Sequence, residues 1–315
     1  MNRLQANLCL ICVTLCWSTE VIIFACIPDD VLPFATSFIT SAIAAAILAA
    51  CFFRRIAAEM KRAGKEILLR CLLLGVLKAA YDIMFLYGLK YFDVSTGAFT
   101  FSITVVVLPV VLLTMRKSVD KKTWISVVLV LTGIVFALGS SLAGTQVWGL
   151  VIMFIGCTLR ALFFVKLNDF AKEHDSITLS VWISVVGAII SFAIWVILQP
   201  ATFGAIPWSG TVIAGLFIYA YFIVAFAQTL NVFAQKRATA AGATIIYSLE
   251  IVFSLIWMRS VSMPPYTIIP RMPLPRGSAS SHAEAGRRYQ SFLSILSLRR
   301  PKIRAALLFI FLFSG

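Results

Sequence analysis

From the N-terminus onward the chain alternates long apolar runs with short polar links. The runs cover residues 7–27, 31–53, 67–89, 95–115, 123–140, 146–165, 176–198, 210–233 and 240–258. A helix needs about 20 apolar residues to cross a bilayer, so the pattern predicts nine transmembrane helices. The other spanning architecture, a closed barrel, is written in strands of about ten residues with alternating polarity. Unbroken runs of this length do not fit it, and the predicted class is an all-α polytopic membrane protein.

Composition supports the pattern: 61% of the 315 residues are hydrophobic, 13% are charged, and the mean hydropathy is +0.96. In a soluble protein a net charge of +14 would suggest nucleic acid as a partner, but here the positions of the charges matter more than their sum. Arg54, Arg55, Lys61, Arg62 and Lys65 lie in the expected loop 54–66, and Arg116, Lys117, Lys121 and Lys122 in the loop 116–122. Lys166, Lys172, Lys236 and Arg237 fall in later links on the same side, whereas the intervening links hold a single basic residue, Lys90. The positive-inside rule then puts the N-terminus and the basic links in the cytoplasm. Trp124, Trp148 and Trp208 fall where interfacial aromatics belong.

Arg3 followed by an apolar run resembles a secretory signal, but no small-residue cleavage site precedes a polar mature segment, so a retained first helix is expected. The seven cysteines lie in or beside apolar runs, and the Cys9-x-x-Cys12 pair has no His or carboxylate at metal-site spacing. They are read as small buried hydrophobes. No metal or cofactor is expected.

The links are too short for a soluble catalytic domain, which leaves the bundle itself to function. LKYFDVSTGAFTFS, from Leu89, aligns with AQKRATAAGATIIY, from Ala234, at an offset of 145, with Gly97 and Ala98 falling on Gly242 and Ala243. Five predicted spans separate the two links, and an odd number inverts the second copy, as in many secondary transporters whose substrate site lies between the halves. Residues 1–140 and 146–258 are the expected halves. Within this frame LYGLKYFDVSTGAF, CWSTE and IIYSLEIVF resemble the EamA-type members of the drug/metabolite transporter superfamily, over roughly residues 7–257. The resemblance implies a ten-helix inner-membrane carrier that moves small metabolites or drugs, often outward, without ATP hydrolysis. Ile251 and Val105 stand where the family often has proline, and FATSFITSAIAAA lacks an arginine common in the second helix.

After Trp257 the composition changes. From residue 259 on there are eight Arg to one Lys, against eight Arg and ten Lys before, and six of the eleven prolines lie there. The apolar run from Ala305 to Phe313 is too short to span. The expectation is a tail read out of frame from about residue 258, with the tenth helix missing; a disordered basic tail is the alternative.

Charges at bilayer depth are costly and point to function. They are Glu20, Lys78, Asp82, Arg160 and Glu250. Lys78 and Asp82 are four residues apart and able to pair on one helix face. Arg160 lies six residues before Lys166, near enough to the helix end for its stem to snorkel. Glu20 has no opposite charge at helical spacing. It needs a cation from another helix (Lys78 or Arg160), a proton, or a wet cavity, and the last two would serve proton coupling. Glu250, in the SLE triplet, invites the same reading.

Trp17, Tyr81, Tyr247, Gln228 and Asn231 are the polar and aromatic candidates for the same pathway, with Ser18 and Tyr87 as weaker ones. Gln228 and Asn231 share a face at a spacing of three. No HExxH, Gly-rich phosphate loop or Ser-His-Asp set is present, and the two histidines, His174 and His282, lie outside the predicted spans. The expected function is secondary transport, not catalysis. A small-molecule substrate and membrane lipid are the expected partners, nucleic acid is not, and a homodimer is compatible with the sequence. A non-transporting membrane interaction protein is the rival.

Overall fold

The structure is a computed structural model that describes residues 2–20, 23, 33–88, 91, 103–121, 123–125, 127–128, 131–132, 147–204, 206 and 208–260. Every regular element among the described residues is helical. We number them α1 (Arg3–Ser18), α2 (Pro33–Gly88), α3 (Thr104–Thr114), α4 (Val147–Ala171), α5 (Ser176–Leu198), α6 (Gly210–Gln235), α7 (Ala240–Tyr247) and α8 (Leu249–Ser260). Of these, α2, α4, α5 and α6 are long and apolar enough to cross a membrane. The expected spans at 95–115 and 123–140 and the first copy of the aligned repeat lie partly outside the described residues, and residues 261–315 lie wholly outside them.

The helix α1 begins with a reciprocal cap: Asn2 Oδ1 accepts from the Gln5 amide and Gln5 Oε1 from the Asn2 amide, both at 2.9 Å. Its buried positions, Ala6, Leu10, Val13, Thr14, Trp17 and Ser18, recur every three or four residues and turn one face inward. At Thr19 the helix is capped, so Glu20 stands just past its end.

The expected loop 54–66 is instead helical, and α2 runs through it as one 56-residue element. Only Phe52 (φ −126°, ψ 22°) and Ala63 (φ −134°, ψ 25°) leave helical geometry. Between and beside these kinks the charged residues support the helix through Arg62–Glu59 and Arg70–Glu66 pairs at spacings of three and four. Reading the basic run as a loop overlooked those acids. The kinks fold α2 back on itself: Ser41 in the first arm and Gly75 in the second, 34 positions later in the chain, both approach Gly187 of α5.

Small residues make that approach close. A Cβ at Gly75 would sit 2.5 Å from Val186 Cβ and 3.3 Å from the Ile183 carbonyl oxygen. Ser180, Ser184, Gly187 and Ser191 form a narrow stripe on α5, and the Ser191 and Ser37 hydroxyls meet at 2.9 Å. Small side chains and hydroxyl pairs of this kind hold helices together where lipid removes the hydrophobic drive. The outer faces of α4, α5 and α6 present Phe154, Ile189, Phe192, Phe217 and Phe222 outward, an apolar exterior suited to hydrocarbon. Trp148 and Trp208 are largely exposed.

Candidate functional site

Helices from both ends of the sequence converge on the end of α1. The Tyr219 hydroxyl of α6 donates to Glu20 Oε1 at 2.6 Å, and Ser254 of α8 donates to the Ser18 carbonyl at 3.4 Å. Tyr219 opens a π-helical stretch, Tyr219–Ala227. Such stretches are rare and concentrate at functional sites, because the extra residue per turn re-aims the side chains that follow. Outside the Glu20–Tyr219 bond an apolar groove of about 350 Å³ runs between α1 and α6, lined by Cys12, Leu15, Cys16, Thr19, Ile23, Ile218 and Phe222.

Among the described residues two ion pairs lie inside the bundle. Lys78 and Asp82 pair on one face of α2, as their spacing predicts. Arg160 of α4 donates from Nη2 to Glu250 Oε2 of α8 at 3.3 Å. Arg160 does not snorkel: it is buried, with its guanidinium 5.3 Å from the Trp17 ring and 5.4 Å from the Phe164 ring. Aromatic faces favour a desolvated guanidinium, and Glu250 supplies the countercharge, so the buried position outcompetes the helix end. Glu250 stands in the first turn of α8, where the helix dipole also favours an acid. Glu20 lies within electrostatic reach of Arg160, Glu250 and Asp82. The intramembrane charges therefore form one cluster.

Aromatic rings pack around it. Trp17, Phe164 and Tyr247 form a triangle with centroids 4.8–5.8 Å apart, and Phe163 meets Tyr81 edge-on at 5.4 Å. From Tyr247 a polar chain runs toward the basic links. Its hydroxyl donates to Asn231 Oδ1 at 2.5 Å and accepts from Gln235 Nε2 at 2.7 Å. Asn168 Nδ2 donates to Gln235 Oε1 at 2.5 Å and to the Ala238 carbonyl at 2.9 Å, and Lys172 donates to Asn168 Oδ1 at 3.0 Å. Gln228 and Asn231 are both buried, and the amide nitrogens of their side chains have no hydrogen-bond partner among the described residues.

The structure thus gathers Glu20, Glu250, Lys78, Asp82, Trp17, Tyr81, Asn231 and Tyr247, with Gln228 one turn from Asn231. Tyr87 stands apart, its ring near Tyr91. Sequence reading passed over Tyr219, Phe163, Phe164, Asn168 and Gln235, and it gave Arg160 the wrong environment. For the amides the available signal was a polar residue near the end of an apolar run. For Tyr219 the sequence carries no signal, because tyrosines are ordinary in apolar helices.

The comparisons agree with this architecture. No curated protein matches the chain. It is similar to a protein of known crystal structure with a TM-score of 0.65 and 15% sequence identity, over 94% of this chain and 98% of that one, a likeness that bears on the fold. Residues 4–139 match the EamA-like transporter family, a match consistent with an EamA-type transporter of the drug/metabolite transporter superfamily, and the long apolar helices fit a multi-pass membrane protein.

Proposed function

We propose that the chain is a secondary transporter that carries a small metabolite or drug out across the inner membrane by alternating access, with a proton as the coupling ion. In this reading residues 1–140 and 146–258 are inverted halves, the N-terminus is cytoplasmic, and the pathway runs between the halves.

One observation carries the reading. Glu20, Lys78 and Asp82 from the first part of the chain and Arg160, Tyr219 and Glu250 from the second form a single polar cluster among aromatic rings at bilayer depth. Charges placed there are expensive and are kept where they face a pathway. Lys78 and Arg160 each have a carboxylate partner, whereas Glu20 is held by a neutral hydroxyl. That makes Glu20 the acid best placed to release and regain a proton as the site opens to either side. Gln228 and Asn231 supply amide donors to the substrate, and Trp17, Tyr81 and Tyr247 supply its apolar wall.

The test is flux in proteoliposomes under an imposed pH gradient, with a panel of small amines, amino acids and amphiphilic drugs. Gradient-driven flux is expected from the unaltered chain, and Glu20→Gln should uncouple it from pH. Proton-driven flux that survives Glu20→Gln removes Glu20 from the mechanism. No flux of any panel member under either gradient supports the membrane interaction protein instead.

A further inference from the structure

Residues 146–258 contain four acids: Asp169, Glu173, Asp175 and Glu250. Glu250 belongs to the central cluster. Each of the other three is paired with a cation from the first 140 residues: Lys117 with Asp169 at 2.5 Å, Arg70 with Glu173, and Arg55 with Asp175 at 2.5 Å. A polar contact joins the same two parts of the chain beside them, where the Asp175 amide donates to Glu59 Oε1 at 3.3 Å. All of this lies at the end of the bundle that carries the basic links, in one layer with the Asn168–Gln235 bond.

Ion pairs that cross between the two parts of the chain are what distinguishes this layer. In these three pairs, which cross the boundary, the cations come from the first part of the chain and the acids from the second, beside the Arg62–Glu59 and Arg70–Glu66 pairs internal to α2. In the central cluster neither ion pair crosses: Lys78–Asp82 lies within the first part and Arg160–Glu250 within the second. Arg70 is fixed by three neighbours, Glu66, Glu173 and the Phe170 ring 5.0 Å away, and so ties the second arm of α2 to the end of α4.

We infer that these pairs form an electrostatic latch that holds the pathway shut on the side of the basic links, and that the structure shows the latched state. The inference rests on the carrier reading above, since a latch has a role only if the two parts separate. Partly exposed pairs suit the task. Each is weak enough to break and re-form during a cycle, and their sum sets which side stays closed.

Cys157 is fully buried, one turn from Arg160, and reports access to the centre. In a variant keeping Cys157 as the single cysteine, a membrane-impermeant maleimide is added from the side of the basic links, in vesicles of either orientation. Slow modification is expected. Neutralising Asp169 and Glu173 together, as Asp169→Asn with Glu173→Gln, should speed it about three- to tenfold. Lys117→Asp alone should speed it about two- to fivefold, as befits one half-exposed pair. Adding Asp169→Lys to Lys117→Asp should bring the rate back.

A rate unmoved by neutralisation overturns the latch. So does a swapped pair that fails to slow modification again, whether folded or not. Flux measured in the same vesicles separates the two readings. Flux with unchanged access removes the latch and leaves the carrier, whereas altered access with no flux in any variant leaves the latch and removes the carrier.

Discussion

Two sets of ion pairs hold this protein together, and they obey different physics. In the centre, Lys78–Asp82 and Arg160–Glu250 lie among aromatic rings, with side chains 6–19% exposed. At the basic end the cations of Arg55 and Arg62 are 55% and 66% exposed. A buried pair is costly to form and more costly to break halfway, because one uncompensated charge stays in a dry site. A half-exposed pair is screened by salt and contributes little singly. In the proposed carrier the central set would fix what the bundle encloses, and the basic-end set would only bias which way it opens.

The largest expected effect tests the central set. Arg160→Ala leaves Glu250 unpaired and should lower stability by about 3–5 kcal/mol, seen as a reduced melting temperature in detergent. Arg160→Met with Glu250→Leu removes both charges and should recover most of the loss. If the single variant melts like the unaltered chain, the pair is not buried as described.

Next comes the scaffold that carries both sets. Gly75→Leu forces side-chain atoms into Val186 and the Ile183 carbonyl, and should cost about 1–3 kcal/mol through overpacking; pairing it with Val186→Gly should relieve part of this. Tyr219→Phe removes one hydrogen bond to a carboxylate, worth about 1.5–3 kcal/mol. It should also shift the pH at which Glu20-dependent flux is half-maximal, a change that loss of packing alone would not produce.

The smallest effect belongs to the basic end. Lys117→Gln should cost about 0.2–1 kcal/mol and nothing at all at about 1 M salt, where the Debye length is about 3 Å; an Arg160→Ala loss should persist there. pH sharpens the contrast. Hydrogen bonds from Arg62 hold the Glu59 carboxyl below the usual carboxylate range. For Asp175 burial works upward, but the Arg55 bonds and the Thr178 cap outweigh it and the net direction is down. A depressed acid contributes stability above its unfolded pKa and loses it as pH falls through the folded value. The basic end should therefore hold at neutral pH and weaken below about pH 4.

His174 adds a second step. Burial lowers its pKa, so the folded state prefers the neutral ring. That preference is felt as pH falls through the unfolded value of about 6.5. His174→Gln should flatten the melting temperature between about pH 7 and 5 and leave the acid limb in place.

Much of the molecule was legible in the chain because lipid imposes severe rules. Apolar runs pointed to an all-helical chain, of which four helices among the described residues are long enough to span, the charge asymmetry grouped the basic links at one end, and the costs of burial singled out Glu20, Glu250, Lys78 and Asp82. The Lys78–Asp82 pair followed from helical spacing alone. The segment 54–66 was misread as a loop because its charges looked like solvent-facing punctuation, when their i,i+3 and i,i+4 pairs keep it helical.

What the sequence alone determined was the helical class and which local pairs each residue can make, since both depend on neighbours within one helix. Tertiary structure decided everything that crosses between helices. It chose Tyr219 for Glu20 instead of a cation, Glu250 for Arg160 instead of the membrane surface, and the first part's cations for Asp169, Glu173 and Asp175. Those choices depend on which faces meet after α2 folds back on α5, and packing of whole faces is not encoded at any one position.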